Sequence, residues 1–289
     1  MDAWGARDLV ASTPMTRDTL VRIYSMTKPI TSAATMLLCE RARIRLSDPL
    51  SRYFPAFSDM EVYLGGSEPP FRTTPAEREI RIRDLLTHTG GLAYGIGDDH
   101  PVEKEFEKVV WGKLARDPNV TLEEMTDVIA ELPLVHQPQT TWRYSIATDI
   151  LGALVETIDG RPFSRFLAEE LFEPLGMHDT WFTVPEAERE RLATVYTQGE
   201  HGLEPAEDPP VMAYTDARRP ASGGGGLVST AEDYLRFAQM LLDGGRAGER
   251  WVLSPRTVRL MTTDHLPPDV EEWDRPGSGF GFGGQVVSD

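Results

Sequence analysis

From Ser25 to about Arg43, apolar residues at Ile30, Ala33, Ala34, Leu37 and Leu38 recur at helical spacing. This is the strongest constraint on the fold, because a helix so apolar must be covered by the rest of the chain. Pro29 falls in its first turn, where a missing N–H costs little. Ser25 is therefore placed at or next to the N-terminus of a buried helix. Lys28, three residues on, shares a face with it.

Lys28 is unusual for this chain, which carries 25 arginines against four lysines (Lys28, Lys104, Lys108 and Lys113). Arginine keeps its proton in proteins, whereas a desolvated lysine can give it up. A serine needs a base, and a lysine at i+3 of a helix start is close enough to serve. The helix N-terminus adds free N–H groups and a dipole that favours a developing oxyanion. The bare pair is also compatible with a capping serine beside an unrelated lysine.

The remaining segments alternate in type. Leu20–Tyr24 reads as a strand end, Leu64–Thr74 as a Gly/Pro-rich loop, and EIRIRDLL (79–86) as alternation passing into a short helix. Amphipathic helices are expected over Glu103–Lys113 and Thr121–Leu132. Two more cover Ala147–Ile158, closed by Asp159–Gly160, and Pro162–Phe172. Residues 199–220 are acidic and Pro-rich, and read as a surface excursion. SGGGGL precedes Ser229-Thr230-Ala231-Glu232, an N-cap signal with an acidic first turn, for a helix over Ala231–Leu242 that ends at Gly244–Gly245. The final GFGFGGQVV reads as strand. Helices concentrate in the middle and strands at the two ends. The expectation is an α+β fold, with a discontinuous sheet domain from residues 1–48 and 215–289 around a mainly helical domain over 49–214.

Several function classes are excluded. A formal charge of −17 argues against nucleic acid and against anionic membranes. No apolar run approaches the ~20 residues of a membrane span, and the N-terminus has no secretory pattern, so the reading is cytoplasmic. A single cysteine, Cys39 in MLLCE, leaves no internal disulfide or multi-cysteine metal site and reads as a core thiol. There is no G-x-S-x-G elbow, no H-E-x-x-H pair and no G-K-[ST]. His88 reads as a turn histidine bonding backbone, His178 as a surface residue, and the SGGGG glycines as allowing tight packing beside a site.

SMTKPIT, DLLTHTGGL, the W-x-Y-S of Trp142–Ser145, PLGM and SGGGGLVSTAEDYLRFAQMLLDGG together resemble, in order, the serine β-lactamase-like superfamily. The nearest branch is the family VIII carboxylesterases, relatives of class C β-lactamases and DD-peptidases. The resemblance implies a β-lactamase/transpeptidase-like fold, an antiparallel sheet flanked by helices plus a mostly helical domain. It implies that Ser25 is acylated, that Lys28 is the motif lysine and that Tyr144 is the tyrosine of the second motif. Tyr144 by itself also reads as a buried aromatic beside Trp142. A tyrosine and an ammonium side by side shift each other's titration and act as one unit, so either can take the Ser25 proton.

The activity implied is hydrolysis of small-molecule, short-chain carboxylic esters without a cofactor. Weak β-lactamase or D-amino-acid peptidase activity, or acyl transfer, are the alternatives within that chemistry. A catalytically dead binding or sensing module is the alternative outside it. Ile146 stands where class C β-lactamases have asparagine, which disfavours lactams. The third motif, an oxyanion-donating strand, has only Phe282-Gly283-Gly284 as a local candidate. The better expectation is that GFGFGGQVV precedes that motif, and that relatives carry more chain at both ends.

Overall fold

The two ends of the chain meet at one short antiparallel pairing. Val21–Arg22 pairs with Val228–Ser229, in the register Val21 to Ser229 and Arg22 to Val228. The Ile23 amide extends this by donating to the Leu227 carbonyl at 3.0 Å. The architecture comes from a computed structural model that describes residues 2–96, 99–200, 202–208, 213–271, 275 and 277–287. Among the described residues every sheet has two strands. Val228 is also bridged by Trp181, and Leu20 runs parallel to Leu192, so the junction is reinforced from the middle of the chain.

The apolar helix forms over Thr27–Glu40, entered through a 3-10 turn at Tyr24–Met26. Eleven of its residues are buried, in line with apolar positions on most of its girth. It packs against the helix Ala147–Asp159, itself buried from Ala147 to Val155. That second helix ends at Gly160, whose φ of 84° is the left-handed closure a glycine adopts without strain. The helix Ala231–Leu242 begins as the sequence indicates, with Thr230 Oγ1 accepting from the Asp233 amide at 3.2 Å.

One hydrophobic cluster joins these helices to Phe106, Phe163, Phe166 and Phe237. It draws side chains from both the 1–48 and 49–214 segments, so the core is continuous across them. Helical and strand segments together make the fold α+β, as expected.

Three local expectations need correction. The 64–74 segment is not a plain loop, because Glu61–Gly65 and Arg72–Pro75 form an antiparallel hairpin. Its Val62 is buried and its Tyr63 half-buried against the core, which the Gly/Pro content obscured. The 199–220 segment is not wholly a surface excursion. Val195–Gly199 pairs with Gly202–Ala206, and both Tyr214 and Arg219 are buried; residues 201 and 209–212 lie outside the described residues. The helix expected over 103–113 runs from Pro101 to Arg116 and holds a π-helical turn at Glu107–Trp111. The terminal strand is borne out, as a hairpin of Ser278–Phe280 with Gln285–Val287.

Candidate active site

Tyr24 has a φ of 43°, a left-handed backbone that a tyrosine seldom adopts. This sharp turn lifts Ser25 to the exposed end of the Thr27–Glu40 helix while Lys28 dips into the interior. Of the four lysines only Lys28 is buried, at 4% exposure. Its ammonium nitrogen lies 3.3 Å from Ser25 Oγ and donates to the Gly224 carbonyl at 2.7 Å. It sits 3.5 Å from the Tyr94 hydroxyl and over two aromatic faces, 4.5 Å from the Tyr144 ring centre and 5.3 Å from that of Tyr94. Ser25, Lys28 and Tyr144 are thus brought together, with Tyr144 meeting Lys28 through its ring.

The glycine-rich loop reaches this site because the pairing of residues 21–22 with 228–229 carries it there. Thr31 Oγ1 donates to the Gly223 carbonyl at 2.8 Å, and Thr27 Oγ1 accepts from the Leu227 amide at 3.2 Å. A Cβ on Gly223 would collide with the Thr148 carbonyl, so the close packing read from SGGGG is present.

The second wall holds the aromatic side chains. Tyr144 is about one-third exposed and lies against His88, with ring centres 4.9 Å apart. His88 is buried, and its Nδ1 accepts from the Ser145 amide at 3.3 Å, which leaves the ring proton on Nε2. Burial, and then the nearby Lys28 charge, push the His88 imidazole down to about 3. It is a neutral support for Tyr144, as its reading as a backbone-bonding turn residue expects. Phe280 of the terminal hairpin completes this wall, 5.7 Å from the His88 ring centre.

Four side chains at the site, Tyr94, Glu103, Trp111 and Asp149, belong to no motif in the sequence. Glu103 accepts from the Tyr94 and Gly95 amides and from Arg143 Nε, tying the Tyr94 loop to the segment that carries Tyr144. Trp111 Nε1 donates to the Tyr94 carbonyl at 2.7 Å, an approach made from the π-helical turn. Asp149 is buried and accepts from Ser222 Oγ. Asp149 had a legible signal, being the one charge between Ser145 and Val155, a run otherwise apolar or small. Tyr94 and Glu103 had none, since their roles depend on loop geometry.

The amides of Phe282 and Gly283 are engaged by partners other than Ser25. The Phe282 amide donates to the Met261 carbonyl and the Gly283 amide to that of Leu86, while Phe282 stacks on His265 at 3.9 Å. The amides of Phe282 and Gly283 thus tie the hairpin to the rest of the fold. Ile146 is fully buried and offers no surface to a ligand. His178 is exposed and lies apart from this constellation. Among the described residues no helix is long and apolar enough to cross a membrane, and no acidic, histidine or cysteine cluster could hold a metal.

Comparison with known proteins bears on family and fold. An uncharacterized protein of Mycobacterium tuberculosis is 41% identical over 293 residues, a stretch covering 99% of this chain and 71% of that protein. Esterase EstB of Burkholderia gladioli is 32% identical, covering 99% of this chain and 72% of its own length. The solved structure of EstCE1, a hydrolase with promiscuous acyltransferase activity, superposes with a TM-score of 0.79 at 29% identity, covering all of this chain and 74% of that one. Residues 1–286 match the family described as Beta-lactamase. The chain belongs to that family and carries its hydrolase fold.

Proposed function

We propose that this chain is a serine esterase that cleaves short-chain carboxylic esters through an acyl-Ser25 intermediate. The observation that carries the reading is the buried Lys28 amine, 3.3 Å from the exposed Ser25 hydroxyl. In this scheme Ser25 Oγ attacks the ester carbonyl carbon while its proton passes to Lys28 or, through the adjacent Tyr144, into the same unit. The C–O bond to the alcohol breaks, and the departing oxygen takes the proton back. Water then adds to the acyl carbon, its proton following the same route, and releases the acid and free Ser25. The Tyr24–Met26 turn supports the reading, because it presents Ser25 at a helix entrance where peptide dipoles favour a developing oxyanion.

A second reading, transfer of the acyl group to an alcohol in place of water, is favoured by the promiscuous acyltransferase activity named for EstCE1. The two differ only in what deacylates Ser25. The test is hydrolysis of p-nitrophenyl butyrate with and without added alcohol, beside Ser25→Ala. Turnover lost in the variant supports the acyl-Ser25 route, and a butyrate ester formed with the alcohol selects transfer. Unchanged turnover in Ser25→Ala contradicts both.

A further inference from the structure

We infer that Asp149 is a positioning residue for Lys28, acting through the peptide unit of Gly224; the inference rests on the acyl-Ser25 reading above. Asp149 lies in the first turn of the Ala147–Asp159 helix and is 2% exposed. Its carboxylate takes a hydrogen bond from Ser222 Oγ and packs closely against Gly224. The carbonyl of the same Gly224 accepts from Lys28 Nζ at 2.7 Å. Gly224 is therefore packed against a buried carboxylate and bonded through its C=O to the amine beside the nucleophile.

The grip is tight in a way only glycine permits. A Cβ on Gly224 would fall inside contact distance of Asp149 Oδ2. Ser222 Oγ, while donating to Asp149, also accepts from the Gly225 amide at 3.1 Å, so the carboxylate holds Ser222 directly and Gly225 through it. In a buried site such charge-assisted bonds are strong and aim the carbonyl they hold.

Charge points the same way. Burial raises the proton affinity of Asp149, and Lys28 opposes that rise, so carboxylate and ammonium attract across the glycine. The other groups facing this pair are Tyr94 at 3.5 Å from Lys28 Nζ, the Tyr144 ring, neutral His88, and Ser25. Arg219 lines a cavity of about 30 Å³ with Asp149 and Tyr94, and its guanidinium is bonded to the Phe182 and Gly226 carbonyls. Asp149 is buried and bonded to Ser222 rather than to Ser25 or Lys28. Its effect on catalysis runs through Gly224 and Lys28.

Asp149→Asn is the informative variant, since it keeps the shape and one acceptor but loses the charge and the second acceptor. Two readouts are taken on it and on wild type: kcat and KM for p-nitrophenyl butyrate, and amide hydrogen exchange of the 222–226 peptide. The expected result is a kcat lowered about tenfold or more with KM within about threefold, as for loss of alignment rather than of substrate contacts. Exchange over 222–226 quickens while the melting temperature stays close to wild type. If Asp149→Asn instead matches wild type in kcat and exchange, the inference is overturned. Should wild type itself show no turnover while exchange still quickens in the variant, the esterase reading fails and the grip of Asp149 on the loop stands. Should wild type turn over and only the variant's exchange change, Asp149 is a structural residue and the inference also fails.

Discussion

Lys28 lies over the face of Tyr144, its nitrogen 4.5 Å from the ring centre, while the same nitrogen reaches the Tyr94 hydroxyl at 3.5 Å. Two tyrosines therefore share the amine, and they do so differently. Tyr144 is partly open to solvent, whereas burial, and then the Asp149 charge, raise the Tyr94 hydroxyl well above its ordinary value.

This difference separates their roles. Tyr144→Phe is expected to lower kcat for p-nitrophenyl butyrate by about 100-fold or more, the usual cost of losing a proton-transfer group. Tyr94→Phe removes only a long, weak contact and is expected to cost about tenfold or less. Steady-state kinetics on both variants check this, and equal losses would remove the distinction.

His88 makes stability depend on pH. Its imidazole falls from an ordinary 6.5 to about 3, first through burial and then through the Lys28 charge. Between those values the unfolded chain binds the extra proton and the folded one does not, so stability is lost as pH falls from about 6.5 towards 3. The full effect is on the order of 5 kcal/mol. Urea denaturation at pH 7 and at pH 4.5 measures it. His88→Asn, which tolerates the φ of 55° found here, is expected to flatten the dependence despite a lower starting stability.

The glycines of the 222–226 loop are not equivalent. Gly224→Ala is expected to lose activity by about tenfold or more, since the new methyl displaces Asp149 or the loop. Gly225→Ala meets nothing nearer than 3.8 Å and is expected to retain its melting temperature within about 2 °C. Thermal melts beside activity assays distinguish the two.

Cys39 is expected to resist alkylation in the native state. Burial, followed by the charges of Asp48 and Glu40, pushes its thiol up to about 12, so little thiolate is present at pH 8. Mass spectrometry after iodoacetamide treatment, with and without denaturant, reads this directly. Rapid native labelling would contradict it.

The sequence's legibility follows the range of the forces involved. The Thr27–Glu40 and Ala147–Asp159 helices were readable because apolar spacing and a closing glycine are local signals. Ser25 and Lys28 were readable because i+3 spacing at a helix start fixes their proximity without tertiary contacts. The Glu61–Gly65 hairpin was missed because turn residues inside it outweighed a short alternation. Buried Tyr214 was missed for a related reason, since acidic and proline-rich neighbours masked one core side chain. Tyr94, Glu103 and the Asp149–Gly224–Lys28 chain depend on contacts between segments up to 196 residues apart, which no local pattern encodes.

The central claim is that Ser25 carries the acyl group. Rapid-quench mass spectrometry during p-nitrophenyl butyrate turnover tests it most directly. The account predicts a transient butyryl adduct on the peptide containing Ser25, absent in Ser25→Ala. Ester hydrolysis with no adduct at Ser25, or with an adduct on another residue, would contradict it.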